Sequence, residues 1–293
     1  MLRTRLWMGA LLIGLAVAVL VVDQRLAPFY PFLFLLCLGL TLLAALELVQ
    51  LLRASAWSAI SPVPWLCLTG VAAVVAANWA WHLLPAPVRG EGPWAWVGGV
   101  YAALLLLVFL VEMATFREPG RSTPRLALAS WIIAYVGLLT SFVVQLRWLP
   151  EIAPETAGQR GSLALALAIF VPKFGDSGAY FTGRLLGRHR MTPVLSPKKT
   201  WEGAAGAAAV SVLTAMAIAS LGPVLRGELW SAALLGLVVG VVGLLGDLAE
   251  SLIKRDCQQK DASQIMPGFG GVLDVVDSVI FSAPVTYWFL QWA

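Results

Sequence analysis

Apolar runs of about twenty residues alternate with short polar loops from Leu6 to Trp292. Roughly 20 helical residues cross the ~30 Å hydrocarbon layer of a bilayer. On that length, nine stretches qualify: Leu6–Val22, Phe29–Leu52, Val63–Leu84, Trp94–Phe116, Leu126–Leu149, Gly161–Gly183, Gly203–Leu221, Trp230–Ile253 and Val272–Trp292. Backbone polar groups in lipid must be satisfied within their own segment, so these runs predict helices. The expected fold class is an all-α polytopic integral membrane protein with about nine transmembrane helices. The first run follows Arg3 and Arg5, but no small-x-small cleavage site ends it, so it reads as a retained signal anchor.

Polar positions divide this pattern unevenly. Up to about residue 155 there are five plain spans, whose buried acids are Glu47 and Glu112, joined by Pro- and Gly-rich loops such as PAPVRGEGP. Almost every other polar group at membrane depth falls after residue 160. The economical description is one integral-membrane domain, 1–293, with a scaffold half (1–155) and a catalytic half (156–293). Glu47 has two readings of equal standing: it lines a lipid groove, or it pairs with another buried polar side chain.

Within the sixth span, Lys173, Asp176, Ser177, Tyr180 and Arg184 recur at three- and four-residue spacing, which places them on one helix face. A self-neutralising Lys173–Asp176 pair accounts for the first two residues but not for the continuation to Arg184. On the eighth span Asp247, Ser251, Lys254 and Arg255 share a sector, with the carboxylate deep and the cations above it. Asp274, Asp277 and Ser278 share a face at the start of the ninth. A charge at the bilayer centre costs about 2.5–3.5 kcal/mol even on insertion scales, so such residues mark a site by default.

Composition agrees: 59% of the 293 residues are hydrophobic, 12% are charged, mean hydropathy is +0.83 and there are 13 Trp. Soluble domains do not have this balance. Counted by side for nine spans, fourteen Lys and Arg fall on the face of the N-terminus and the loops after the sixth and eighth spans, against five on the other. The positive-inside rule then predicts a cytoplasmic N-terminus and a cytoplasm-facing active site in an inner (plasma) membrane, multi-pass. The net charge of +4 arises mainly from this asymmetry and suits anionic headgroups and phosphates. It forms no nucleic-acid stripe. For Arg53 and the Arg117, Arg121, Arg125 cluster, setting topology is the preferred role. Cys37, Cys67 and Cys257 have no CxxC or Cys/His spacing, which argues against a disulfide or a zinc site. His82 reads as an interfacial anchor beside Trp79 and Trp81, and His189 lies in a basic loop.

That loop, GRLLGRHRMTPVLSPKKTWEG, sets Arg184, Arg188, Arg190, Lys198 and Lys199 beside a helix start after Thr200. Cations next to free N–H groups make a polyphosphate cradle. No GxxxxGK[ST] is present, so it is not a Walker A loop. Mg²⁺ is usually held by one or two carboxylates, with phosphates and water completing its octahedron. Asp247 and Asp274 meet that need if their helices face each other.

Ser251–x–Ile253–Lys254–Arg255–x₄–Lys260–Asp261–x–Ser263, followed by Pro267–x–x–Gly270–Gly271–x–x–Asp274–x–x–Asp277, resembles the signature of the phosphatidate cytidylyltransferase (CDP-diacylglycerol synthase) family. Gly175–Asp176–Ser177–Gly178–Ala179–Tyr180, Gly183–Arg184 and Ser196–Pro197–Lys198–Lys199–Thr200–Trp201–Glu202–Gly203 resemble that family's upstream blocks, in the same order. The likeness covers roughly the C-terminal half. Two positions depart: Phe269 stands where the family usually has His, and Val275 where it usually has Arg.

The resemblance implies a CTP-dependent nucleotidyltransferase of phospholipid biosynthesis. It would make CDP-diacylglycerol and pyrophosphate from CTP and phosphatidate with Mg²⁺, among membrane lipids and as a homodimer. On that reading Asp247 and Asp274 bind metal, and Asp277 supports them. Lys198, Lys199, Lys254 and Arg255, with Arg184, neutralise phosphates. Ser196 and Ser251 position substrate, and Asp176 orients a lysine or completes the metal site. The alternatives are a CTP-dependent transferase for another lipid phosphate, a transporter, and an inactive scaffold.

Overall fold

The structure is a computed structural model that describes residues 2–85, 87, 90, 92–152, 158–225, 229–263, 265–266 and 270–292, with side chains from residue 7 onward. Ten helices follow one another: α1 (Leu2–Gln24), α2 (Pro31–Arg53), α3 (Pro64–Leu83), α4 (Pro93–Thr115), α5 (Ser122–Ile132), α6 (Leu139–Leu146), α7 (Gln159–Leu186), α8 (Trp201–Ala219), α9 (Leu229–Asp256) and α10 (Val272–Trp292). A π-helical turn, Ile133–Leu138, joins α5 to α6 into one rod. The β structure among the described residues is an antiparallel hairpin, β1 (Arg190–Thr192) and β2 (Ser196–Thr200), and an isolated bridge between Met266 and Gly270.

The all-α membrane class stands. Among the described residues, eight helices are long and apolar enough to cross a membrane: α1, α2, α3, α4, the α5–α6 rod, α8, α9 and α10. The sixth expected span is helical, as α7, for 28 residues. It is not one of the eight, because Lys173, Asp176, Ser177 and Arg184 lower the apolarity of its second half. The count of nine is therefore not reached on length and apolarity alone.

Sequence explains several helix starts. Proline occupies the first turn of α2, α3 and α4, where a missing N–H costs nothing and φ is already helical. Asp23 adds a cap to α2, its two carboxylate oxygens accepting from Phe32 N (3.1 Å) and Leu33 N (2.5 Å). Thr200 caps α8, its Oγ1 accepting from Gly203 N at 3.1 Å.

The chain forms two compact units, Met1–Val144 with Asp256–Val275, and Gln145–Arg255 with Val276–Ala293. In the first, α3 packs against the α5–α6 rod around Leu66, Ile132 and Ile133, which are almost wholly buried. Asn78 Nδ2 donates to Ser141 Oγ across that contact at 2.8 Å. A Cβ on Gly70 would lie 2.6 Å from Ile133 Cδ1, so the glycine permits the close approach.

In the second unit small residues take the place of bulky ones. A Cβ on Gly178 would meet Gly206 O at 2.8 Å, one on Gly236 would meet Ala215 Cβ at 2.7 Å, and one on Gly246 would meet Phe281 Cβ at 2.6 Å. Helices in lipid associate through such close backbone contacts, since the solvent supplies no hydrophobic drive. The result draws α7, α8, α9 and α10 together, and polar side chains on α7, α9 and α10 face one another. Arg160, 2% exposed, ties this unit by donating to the carbonyls of Val224, Pro150 and Leu290 at 3.3, 2.5 and 2.6 Å.

Candidate active site

The second unit gathers four acids and three lysines from four elements. Lys173 of α7 reaches Asp277 Oδ1 on α10 at 3.1 Å, and Asp176 Oδ2 one turn along its own helix at 3.7 Å. The cross-helix contact is the shorter, so Lys173 bridges two helices and does more than neutralise its neighbour. Lys199 of β2 pairs with Asp247 Oδ2 on α9 at 2.8 Å and approaches the Leu244 carbonyl at 3.5 Å. Lys254 pairs with Glu250 one turn earlier on α9. Ser278 donates from its backbone N to Asp277 Oδ1 at 2.6 Å and from its Oγ to Asp176 Oδ2 at 3.5 Å.

Local structure decides which members of each motif reach this centre. Successive strand residues point to opposite faces. Lys199 accordingly turns to α9 while Lys198 stays exposed. Ser196 lies in β2, paired with Thr192. On α9, Asp247 and Lys254 are two turns apart, so Lys254 continues the face that Asp247 begins. Ser251 is 8% exposed on the turn between them. Arg255 lies outward and donates from Nε to Leu195 O at 3.3 Å, which holds the hairpin. Arg184, near the end of α7, is also exposed, its Nη1 donating to Tyr180 Oη at 3.0 Å. His189 also has a partner: its Nδ1 lies 2.6 Å from Glu202 Oε1, and Glu202 further accepts from the backbone N of Arg188 and His189.

Asp247, Glu250 and Asp277 bring carboxylate oxygens within 4.8 Å of one another. Opposite ligands of Mg²⁺ at 2.0–2.1 Å are about 4.2 Å apart, so the spread suits a small hard cation. The donor set is all oxygen, and the four acids exceed the three lysines by one negative charge. These residues fit a divalent cation.

Asp274, the other expected ligand, is placed differently. Its Oδ2 accepts from Gly271 N at 2.7 Å and Ala262 N at 3.1 Å, closing the turn that opens α10. Gly270 in that turn has φ +98°, a conformation open to glycine and costly for other residues. Phe269, one of the two departures from the family pattern, lies outside the described residues, whereas Val275 lies in α10.

Glu47 resolves its two readings in favour of pairing, with a partner set broader than a side chain. Fully buried on α2, it accepts from Ser263 Oγ at 2.6 Å, Val272 N at 2.9 Å and Leu273 N at 2.8 Å. It thus binds the open N–H groups at the start of α10.

Sequence reasoning passed over Glu250. A signal existed: Glu250 is three residues after Asp247 and four before Lys254, both spacings that place residues on one helix face.

Fold and site together define a polytopic membrane protein whose one helical unit holds a lysine-and-carboxylate centre suited to phosphate and a cation. The profile of the cytidylyltransferase family matches residues 3–293, and the chain belongs to that family. It is 44% identical to a phosphatidate cytidylyltransferase of Synechocystis sp. over 132 residues, which are 44% of each chain. It is 44% identical to that of Brucella suis over 114 residues, 39% of this chain and 42% of the relative. The chain thus spans less than half the length of these two curated relatives. A phosphatidate cytidylyltransferase of Mycobacterium bovis is 31% identical over 251 residues, 83% of this chain and 75% of the relative.

Proposed function

We propose that this protein transfers the cytidylyl group of CTP to phosphatidate, releasing pyrophosphate and forming CDP-diacylglycerol in phospholipid biosynthesis. The observation that carries the proposal is the centre of the second unit, where each of three acids is paired with a lysine: Asp277 with Lys173, Asp247 with Lys199, Glu250 with Lys254. Lysine is a mobile point charge that can leave a carboxylate for a phosphate oxygen. Membership of the cytidylyltransferase family and similarity to the phosphatidate cytidylyltransferases of Synechocystis sp. and Mycobacterium bovis support the same reaction.

In this reading an oxygen of the lipid phosphate attacks the α-phosphorus of CTP, and the bond to the bridging oxygen of the departing pyrophosphate breaks. The attacking oxygen is already anionic, so no covalent enzyme nucleophile is needed. Lys199 and Lys173 neutralise charge on the transferred and departing phosphates. Lys198, Arg184 and Arg255 stand at the exposed margin and attract the polyphosphate. Ser251 and Ser196 position substrate, and Asp176 orients Lys173. Asp247, Asp277 and Glu250 would hold Mg²⁺; the backbone hydrogen bonds of Asp274 support a role for it in shaping the turn before α10 in place of direct ligation. Magnesium, when bound, supplies charge neutralisation for the triphosphate.

The second unit serves as the catalytic part and the first as scaffold. The excess of Lys and Arg in the basic loops supports an active site on the cytoplasmic side of an inner membrane. A homodimer remains part of the proposal on family resemblance.

The test is transfer of label from α-³²P-CTP into the organic phase by purified protein with Mg²⁺, with and without phosphatidate. Phosphatidate-dependent labelling, lost in Asp277→Asn and kept in part by Asp274→Ala, is the expected result. Bound CTP without labelling of phosphatidate, but with labelling of another lipid phosphate, would move the acceptor. No labelling of any lipid phosphate by folded protein would overturn the proposal.

A further inference from the structure

A second candidate site lies in the first unit, between the end of α4 and the start of α5. Phe109, Glu112, Met113, Phe116, Ser122 and Leu126 line a cavity of about 280 Å³. Its wall is apolar except for Glu112 and Ser122. Glu112 is only 5% exposed, and its Oε2 is fully buried; among the described residues no hydrogen bond or ion pair reaches this side chain. The other buried acids of the unit differ, since Asp23 and Glu47 both accept backbone N–H groups. A buried carboxylate facing a cavity without a donor is a site awaiting one.

We propose that this cavity binds a membrane lipid whose headgroup ends in a primary ammonium, with the N–H donors of that ammonium meeting Glu112. Phe109 and Met113 on α4 and Phe116 just past its end are each more than half exposed, so the cavity opens sideways to lipid. Their rings and thioether accept hydrocarbon and exclude a fully hydrated ion. The depth is suitable: Glu112 precedes the helix end at Thr115 by three residues, about 4.5 Å along the axis. Each headgroup layer is about 5–7 Å thick. Arg117, exposed directly after Phe116, supplies a cation for the phosphate of the same headgroup. A primary ammonium matches Glu112 in charge and in hydrogen-bonding capacity, whereas a phosphate monoester such as the proposed substrate would be repelled by it. The site is therefore separate from the lysine-and-carboxylate centre and takes a lipid of opposite headgroup character.

Headgroup chemistry provides the experiment. Ethanolamine-headed and choline-headed lipids of identical acyl composition carry the same charges, but the quaternary ammonium has no N–H. Native mass spectrometry of the full chain, released from nanodiscs containing equal amounts of the two, measures which lipid is retained. Wild-type protein is expected to retain the ethanolamine lipid about tenfold over the choline lipid. Glu112→Gln, which keeps the shape and an acceptor but not the charge, should reduce that preference several-fold, and Glu112→Leu should abolish it. Because Glu112→Leu changes packing as well, Glu112→Gln is the deciding variant. Equal retention of both lipids by wild type, or an undiminished preference in Glu112→Gln, would overturn the proposal. Equal retention of a glycerol-headed lipid in place of the ethanolamine lipid would also overturn it, because hydroxyl donors would then suffice.

Discussion

The two units hold most of their carboxylates by different means. In the first, Asp23, Glu47 and Asp274 accept from backbone N–H groups at or just before the starts of α2 and α10, Asp274 also from Ala262 N in the preceding loop. In the second, Asp277, Asp247 and Glu250 pair with lysine side chains, Asp277 accepting from Ser278 N as well. The difference is physical. A backbone donor cannot move away without unwinding its helix, so an acid held by one is fixed and structural. A lysine on its flexible stem can change partners without unwinding its helix, so an acid paired with one can be uncovered for a cation while the lysine turns to a phosphate. The unit with exchangeable partners is the one suited to chemistry.

The contrast predicts which substitutions harm turnover and which harm the fold. On the proposed mechanism Lys199→Met should lower cytidylyl transfer about 10²-fold, since it would remove an electrostatic contact to a phosphate, with little change in melting temperature because Asp247 is already partly exposed. An unchanged rate would mean that Lys199 serves only to pin β2. Glu47→Ala should do the reverse, leaving the half-buried Ser263 hydroxyl and two buried helix-terminal N–H groups without their acceptor. Denaturant unfolding in detergent should show a loss of about 3 kcal/mol.

Smaller effects sharpen the picture. Thr200→Ala should cost about 1 kcal/mol through the lost α8 cap, with Thr200→Ser recovering most of it. Cys257, buried just beyond α9, has its thiol pushed up from the usual value, chiefly by burial. The thiolate is therefore scarce at neutral pH. Iodoacetamide labelling of native protein should be slow at pH 7 and accelerate as pH rises toward and beyond the ordinary thiol range, with no change in turnover at low labelling.

Much of this was legible in the sequence, and the remainder was illegible for stated reasons. The helices could be read because twenty apolar residues in succession have few other solutions. The stripe from Lys173 to Arg184 could be read because helical spacing is local. Its partner Asp277 could not be paired with Lys173, since that contact joins residues 104 apart. Likewise Glu47 meets Leu273 across 226 residues, which no periodicity reveals. Lys198 and Lys199 looked equivalent while their loop was unassigned, and only strand geometry separates the exposed residue from the paired one. Glu250 was within reach, because its spacing to Asp247 and Lys254 was local and unused. The boundary between units also escaped the pattern: Asp256–Val275 belongs with the first unit, where Glu47 and Ser263 meet.

The most direct test pairs one acid from each unit in a single experiment. Asp247→Asn and Glu47→Gln would be purified side by side, and CTP-to-phosphatidate transfer and melting temperature measured for both. Asp247→Asn should retain the wild-type melting temperature and lose transfer by about 10²–10³-fold, while Glu47→Gln should melt earlier and keep near-normal transfer per folded molecule. The converse, an active Asp247→Asn protein or a fully stable Glu47→Gln protein without transfer, would contradict the division between fixed and exchangeable acids.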